Sequence, residues 1–379
     1  FVAFQQKSLL PDTKWVTFGG SYPGFMAAWA RHLFPTQIHA AVSSSAPIQI
    51  QVHFPGYKEH QAWDMQYDIV GGRQDCLQVV MDGHAAIADT LRHGNYQYVA
   101  DLFGLCDATA LLDEANVDMF LGDGVMDIPA QTNDPSCDDV TCNIEKVCEM
   151  LMDLTLVRNL SAMEALAEVA ILQRDIWNGD ASDDDCLIVD WNETLAYLAS
   201  DEAQEDGTRS WLWQTCTEVG YYQTCLKDSL CPFGRGYHEL WMDYEMCQVC
   251  FGLNSTQVQA NVAATRDHYS RTDIQNTGSR ILSVQGDVDP WSVLSITAGN
   301  ESTMPLHWVE GASHHFWTHP SLPTDTQAIK DARDLIYLKI MEWLREDSDV
   351  VTEGNANHQN PQQRVQQQQD DTEIKFDKL

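Results

Sequence analysis

The first fifty residues alternate short apolar runs with small or polar turns. Val16 to Phe18 is a strand-forming run that ends on Gly19 and Gly20. Gly24 to Phe34 carries small and apolar residues suited to a helix and stops at Pro35. Ile38 to Ser43 is almost wholly small or apolar, as expected of a parallel strand covered on both faces. After Pro47 the pattern changes for more than two hundred residues. Apolar positions there recur at three- and four-residue spacing, which predicts helices. Ile87 and Leu91 form one pair, and Leu112, Ala115 and Met119 a second stripe. The clearest stripe runs from Ile144 to Leu172 through Val147, Leu151, Leu154, Leu166, Val169 and Ala170.

Strand character returns at Ile281, and Ala328 to Leu344 predicts a final amphipathic helix on Ile329, Leu335, Ile336, Ile340 and Leu344. From about Glu346 the chain turns polar, with a glutamine run at Gln366 to Gln369. Too few apolar residues remain there to offset ordering entropy, so the tail 347–379 is expected to be disordered. The expected architecture is therefore α/β. Sheet-forming parts lie at 1–50 and 276–346, separated by a helical insertion at 51–275. No internal repeat is evident. The acidic run Asp180 to Asp185 lacks the glycine and spaced ligands of a calcium loop and is expected to be a solvated loop.

Within this frame, the stretch Thr17-Phe18-Gly19-Gly20-Ser21-Tyr22-Pro23-Gly24 has the form of a nucleophile elbow. A strand runs through a glycine pair to a serine that opens a helix, which lifts the hydroxyl clear of the sheet. Farther on, the run Ile281 to Gln285 ends at Gly286 and delivers Asp287-Val288-Asp289-Pro290-Trp291 into a loop. A second run, Leu306 to Val309, ends in Glu310-Gly311-Ala312-Ser313-His314-His315. Serine, acid and histidine then follow in the chain order of α/β-hydrolases. The residues alone leave open whether Asp287 or Asp289 is the acid, and whether His314 or His315 is the base. Pro23 stands where the general hydrolase pattern has glycine.

Composition narrows the class. Apolar residues make up 44% of the 379, enough for a sizeable core. The net charge of −34 argues against nucleic acid or an anionic membrane as partner. It suits solubility and work at low pH equally. Eleven cysteines favour an oxidising compartment, and their odd number leaves at least one unpaired within the chain. Cys247-x-x-Cys250 lacks the second pair or histidine cluster of a zinc site, so no metal and no cofactor are expected. Glycosylation sequons begin at Asn159, Asn192, Asn254 and Asn300.

Gly19 to Gly24, Ser44-Ser45-Ala46-Pro47, Trp213 to Glu218, Asp289-Pro290-Trp291 and Gly311 to His314 together resemble one family. It is the serine peptidase family of lysosomal Pro-Xaa carboxypeptidase, dipeptidyl peptidase II and thymus-specific serine protease, with the local wording nearest the thymus-specific branch. The resemblance implies an α/β-hydrolase core with a helical, disulfide-linked cap at 51–275. It implies Ser21 as nucleophile, Asp289 as acid, His314 as base and the Tyr22 backbone N–H as oxyanion donor. Trp213, Gln214 and Glu218 are expected at the substrate. The implied activity is peptide hydrolysis, an exopeptidase more readily than an endopeptidase because a large cap restricts access to chain ends. An esterase and a catalytically inactive peptide-binding protein are the alternatives.

The expected partner is a peptide substrate, in a lysosomal or secreted protein. Homodimer formation, prolyl preference and the choice between carboxypeptidase and dipeptidyl peptidase stay open. Family members carry well over a hundred residues ahead of the serine. An N-terminally truncated core, inactive or unstable alone, is accordingly the expectation.

Overall fold

A computed structural model describes residues 13–178, 186–270 and 274–353. The acidic run Asp180 to Asp185 and the glutamine-rich tail beyond 353 lie outside the described residues. Four strands form one sheet in the order β1-β2-β5-β6: β1 is Val16–Gly20, β2 Ala40–Ser44, β5 Ile281–Gly286 and β6 Leu306–Val309. Every neighbouring pair is parallel, with Gly20 opposite Ser44, Ser44 opposite Val284 and Gly286 opposite Val309. All four strands therefore end at the same edge, where the elbow, the acid and the histidine emerge. β2 and β5 are wholly buried, which explains their small and apolar sequences. Among the described residues β1 is a sheet edge, and its Phe18 is 61% exposed.

Helix α1, Ser21–Leu33, begins at the serine itself, three residues before the apolar pattern predicts. A Cβ on Gly19 would lie 2.0 Å from the Pro23 carbonyl oxygen, and one on Gly24 would lie 2.7 Å from that of Ser44. Strand, turn and helix approach too closely for any side chain at these two positions. The Ser43 hydroxyl donates to the Gly24 carbonyl at 3.0 Å and clamps β2 to the start of α1.

The segment 51–275 is largely helical, but it also contributes a short parallel sheet of β3, Gln51–His53, and β4, Gly220–Tyr222. Its first helix is α2, Gly56–Asp64. Its apolar cluster is built from Leu77, Val80, Ile87, Phe103, Leu121, Leu151 and Leu166, among others, and takes in Val288 from the loop after β5. The long stripe from Ile144 is not one helix. It runs as α-helix over Ile144–Met152, widens to a π turn over Asp153–Val157, and restarts at Ala162–Asn178. Ser161 and Glu164 form the capping box that starts the second helix, with Glu164 Oε2 accepting from the Ser161 N–H at 2.8 Å. That signal interrupts the apolar periodicity and overrides it.

Five disulfides join Cys76–Cys148, Cys106–Cys186, Cys137–Cys142, Cys216–Cys247 and Cys225–Cys231, leaving Cys250 unpaired and buried. The last helix spans Gln327–Glu353, past the point where the sequence turns polar, and from Leu335 the chain forms a unit of its own. Among the described residues, no helix is long and apolar enough to cross a membrane.

Candidate active site

Ser21 joins β1 to α1 with φ of 59°, a left-handed value that a serine adopts only where the surroundings impose it. The strain marks a forced turn. Ser21 stands at the helix N-terminus, where the first N–H groups, that of Tyr22 among them, have no partner within the helix. No side chain caps this end.

The histidine loop lies directly against the elbow, for a Cβ on Gly20 would come within 2.9 Å of the His315 ring. Two hydroxyls at the end of β2 hold the loop. Ser45 Oγ accepts from the His315 N–H at 2.8 Å, and Ser44 Oγ accepts from the Trp317 indole at 3.0 Å. The Ser44-Ser45-Ala46-Pro47 motif thus has a structural task that its sequence did not disclose.

His314 Nδ1 lies 2.9 Å from both carboxylate oxygens of Asp289, which has no exposed surface. Its Nε2 is buried and has no partner. The ring is thus anchored at one nitrogen and bare at the other. Asp287, two residues earlier, faces elsewhere. Its carboxylate accepts from the Tyr67 hydroxyl at 2.9 Å and from the Gly311 N–H at 2.7 Å, which ties the acid turn to the histidine loop. Val288 between the two acids enters the apolar cluster of the middle segment. His315 packs on Gly20, and burial, followed by the neighbouring His314, pushes its imidazole down to about 4.

Gln131 completes the surroundings. Its carbonyl accepts from the His314 N–H at 3.3 Å, and its Oε1 accepts from the Trp291 indole at 2.9 Å and the Tyr57 hydroxyl at 2.7 Å. Trp291 in turn packs near the His314 ring, with centroids 6.2 Å apart. Nothing in the sequence marked Gln131, which sits in an irregular stretch without periodicity.

The expected substrate residues divide. Thr215–Val219 is a π turn held to the helix Leu240–Phe251 by Cys216–Cys247. Glu218 is exposed and acts on Tyr22, whose phenol is pushed up first by burial and then by that carboxylate. Gln214 Oε1 is buried without a partner. Trp213 is half-exposed and turns its ring onto Phe251 at 5.1 Å. Trp211 is the ring that meets Tyr22 edge-on at 6.0 Å. Trp211, Gln214 and Glu218 stand at i, i+3 and i+7, the spacing of one helical face, and Trp213 falls off it. That spacing was the available signal for Trp211. Among the described residues, no group of three or more His, Cys, Asp or Glu could hold a metal ion.

A parallel sheet with a strained serine at one strand end and an Asp–His pair at two others defines a mixed α/β protein. The chain belongs to the serine carboxypeptidase S28 family, which it matches over residues 1–336. It is 31% identical over 347 residues to the thymus-specific serine protease of Mus musculus, covering 88% of this chain and 65% of that protein. The Homo sapiens protein of the same name is 31% identical over 345 residues, 88% of this chain and 64% of its own length. Similarity extends to the lysosomal Pro-X carboxypeptidase of Homo sapiens, 22% identical over 343 residues, 87% of this chain and 63% of that protein. The chain thus spans about 65% of the length of the thymus-specific relatives it matches.

Proposed function

We propose that this chain carries the catalytic groups of a serine peptidase that cleaves peptide bonds through an acyl-enzyme. The observation behind this reading is the state of His314, with Nδ1 on a fully buried carboxylate and Nε2 bare, on a loop packed against the elbow of Ser21. Ser21 attacks the carbonyl carbon while His314 Nε2 takes its proton and then returns it to the leaving amine. Asp289 holds the tautomer and stabilises the imidazolium. The Tyr22 N–H, left open at the helix start, receives the oxyanion, and such a donor is worth about 3 kcal/mol in the transition state.

The segment 51–275 acts as a cap, with 1–50 and 276–346 as the hydrolase core. Glu218, Gln214 and an aromatic wall of Trp211 and Trp213 receive the substrate, and the cap confines cleavage to chain ends. Among the described residues β1 is an edge of the sheet, with Phe18 exposed, and its backbone groups are open to pairing with a further strand. Five disulfides and exposed sequon asparagines at 159, 192, 254 and 300 support a lysosomal or secreted glycoprotein.

The test uses peptides blocked at the amino end, the carboxyl end, both or neither, with products read by mass spectrometry and Ser21→Ala as control. Cleavage restricted to peptides with one particular free end, and lost in the control, is expected. Turnover of small esters with every peptide left intact would replace peptidase by esterase. No turnover of either class would leave a binding protein.

A further inference from the structure

The turn Pro290–Leu294 that follows Asp289 makes a second histidine contact. Ser292 is buried, its N–H donates to the Asp289 carbonyl at 2.9 Å, and its Oγ lies 3.4 Å from His60 Nε2 on α2. His60 Nδ1 meets Asp64 Oδ2 at 3.0 Å, one helical turn along. Asp64 has no exposed surface, and its other oxygen, Oδ1, has no partner. Serine, histidine and carboxylate stand in the order of a triad. Yet Ser292 is only 3% exposed, too little for a substrate to reach it. What the arrangement does touch is the turn that presents Asp289.

A carboxylate with one satisfied oxygen and no solvent is costly unless it shares a proton. Burial pushes Asp64 up to about 6 against the pull of His60. Burial alone would lower His60, but Asp64, then Asp289 and Asp287, carry it above its ordinary value. These are the charged groups acting on the pair: Asp64 on α2 itself, and Asp287 and Asp289 from the turn packed against it. Tyr57, also on α2, feels Asp64 and Asp289 and is held neutral by burial. The pair is thus neutral with its proton and carries one negative charge without it.

We infer that Asp64, His60 and Ser292 form a buried relay that positions the Asp289 turn and changes the charge beside Asp289 when a proton leaves. The relay rests on the reading of Ser21, His314 and Asp289 as the reacting groups, and its members are positioning residues. A negative charge there strengthens His314 as a base. In Asp64→Asn the pair never becomes negative and turns positive whenever His60 is protonated. His314 is then the weaker base, and its titration moves to lower pH. Ser292→Ala keeps both charges but unties the turn.

Two readouts test the relay between pH about 4 and about 8, a range that spans the ordinary carboxylate and imidazole values. One is the downfield proton resonance of His314 Nδ1–H, assigned by its loss in Asp289→Asn. The other is the rate of fluorophosphonate labelling at Ser21. Asp64→Asn is expected to lower the His314 midpoint by about 0.5 pH unit. Ser292→Ala is expected to shift the resonance itself and to slow labelling about fivefold with the midpoint unchanged, about the loss of one modest hydrogen bond. A wild-type midpoint in folded Asp64→Asn would overturn the relay. So would a wild-type resonance in Ser292→Ala, the milder variant should Asp64→Asn fail to fold. Ser21 left unlabelled both in this chain and in a version extended at its amino end, with a titrating His314 resonance, would instead remove the nucleophile reading, while the midpoint still decides the relay.

Discussion

The carboxyl edge of the sheet and the helical middle segment are held together in different ways. At the sheet edge single atoms decide: a missing Cβ at Gly19, one hydroxyl each from Ser44 and Ser45, and two carboxylates two residues apart with different partners. In the middle segment bulk decides. Many interchangeable aliphatic contacts around Leu151 and Leu166 share the load, and all five disulfides lie there. Packing tolerates changes of identity far better than it tolerates changes of volume, whereas a strained turn tolerates neither. The first region constrains individual residues and the second constrains composition.

This contrast can be broken by substitution. Gly19→Val places atoms inside the Pro23 carbonyl, so loss of the folded chain is expected, well over 4 kcal/mol, seen as absence of a cooperative melt. Gly94→Ala in the middle segment meets open space and strains only a φ of 79°. It should cost about 1 kcal/mol. Leu166→Ala opens a cavity in the middle segment and should cost about 3 kcal/mol by denaturant unfolding, with Ser21 labelling retained. Equal losses for the two glycines would erase the distinction.

A polar clasp in the middle segment sharpens it. Lys58 Nζ lies 2.6 Å from Asp123 Oδ1, which also lies 2.6 Å from His238 Nδ1. Burial alone would lower His238, but Asp123 outweighs it and raises the imidazole to about 9. A raised histidine stabilises the fold fully below its unfolded value near 6.5, and the contribution is lost as pH rises through about 9. Asp64 and Asp127, pushed up to about 6 by burial, act in the same direction, losing their contribution as pH rises from about 4 through 6. Thermal midpoints should therefore be higher at pH about 5 than at pH about 8. The clasp accounts for at most about 2 kcal/mol of this, since the Asp123 carboxylate is half-exposed, and Asp123→Asn reduces it while Asp243 stays beside the imidazole. A midpoint that rises toward alkaline pH would contradict this. Smallest of all, Trp211→Ala should raise KM about fivefold through its contact with Tyr22, and Trp213→Ala less than about twofold, a difference of about 0.5 kcal/mol.

The same contrast explains what could be read from the chain. The elbow was legible because its constraints are local: glycines before the serine and small residues after it. Which carboxylate meets His314 was legible only through the resemblance carried by Asp289-Pro290-Trp291, since Asp287 and Asp289 both follow the end of β5 and spacing favours neither. The structure separates the two by their partners, Tyr67 and Gly311 occupying Asp287 while His314 meets Asp289. Gln131 carried no signal because its task is set by where an irregular segment passes the histidine loop. The helices of 51–275 were visible as stripes, but their ends were not. The Ser161 capping box was present in the sequence and outweighed the periodicity that ran through it.

The measurement that tests the account most directly is fluorophosphonate labelling, with the modified residue mapped by peptide mass spectrometry. It would be run on this chain and on a version extended at its amino end, at acidic and neutral pH. The account predicts one labelled peptide containing Ser21, lost in Ser21→Ala and reduced at least about a thousandfold in His314→Ala. Labelling at another serine, or labelling that survives both substitutions, would contradict it.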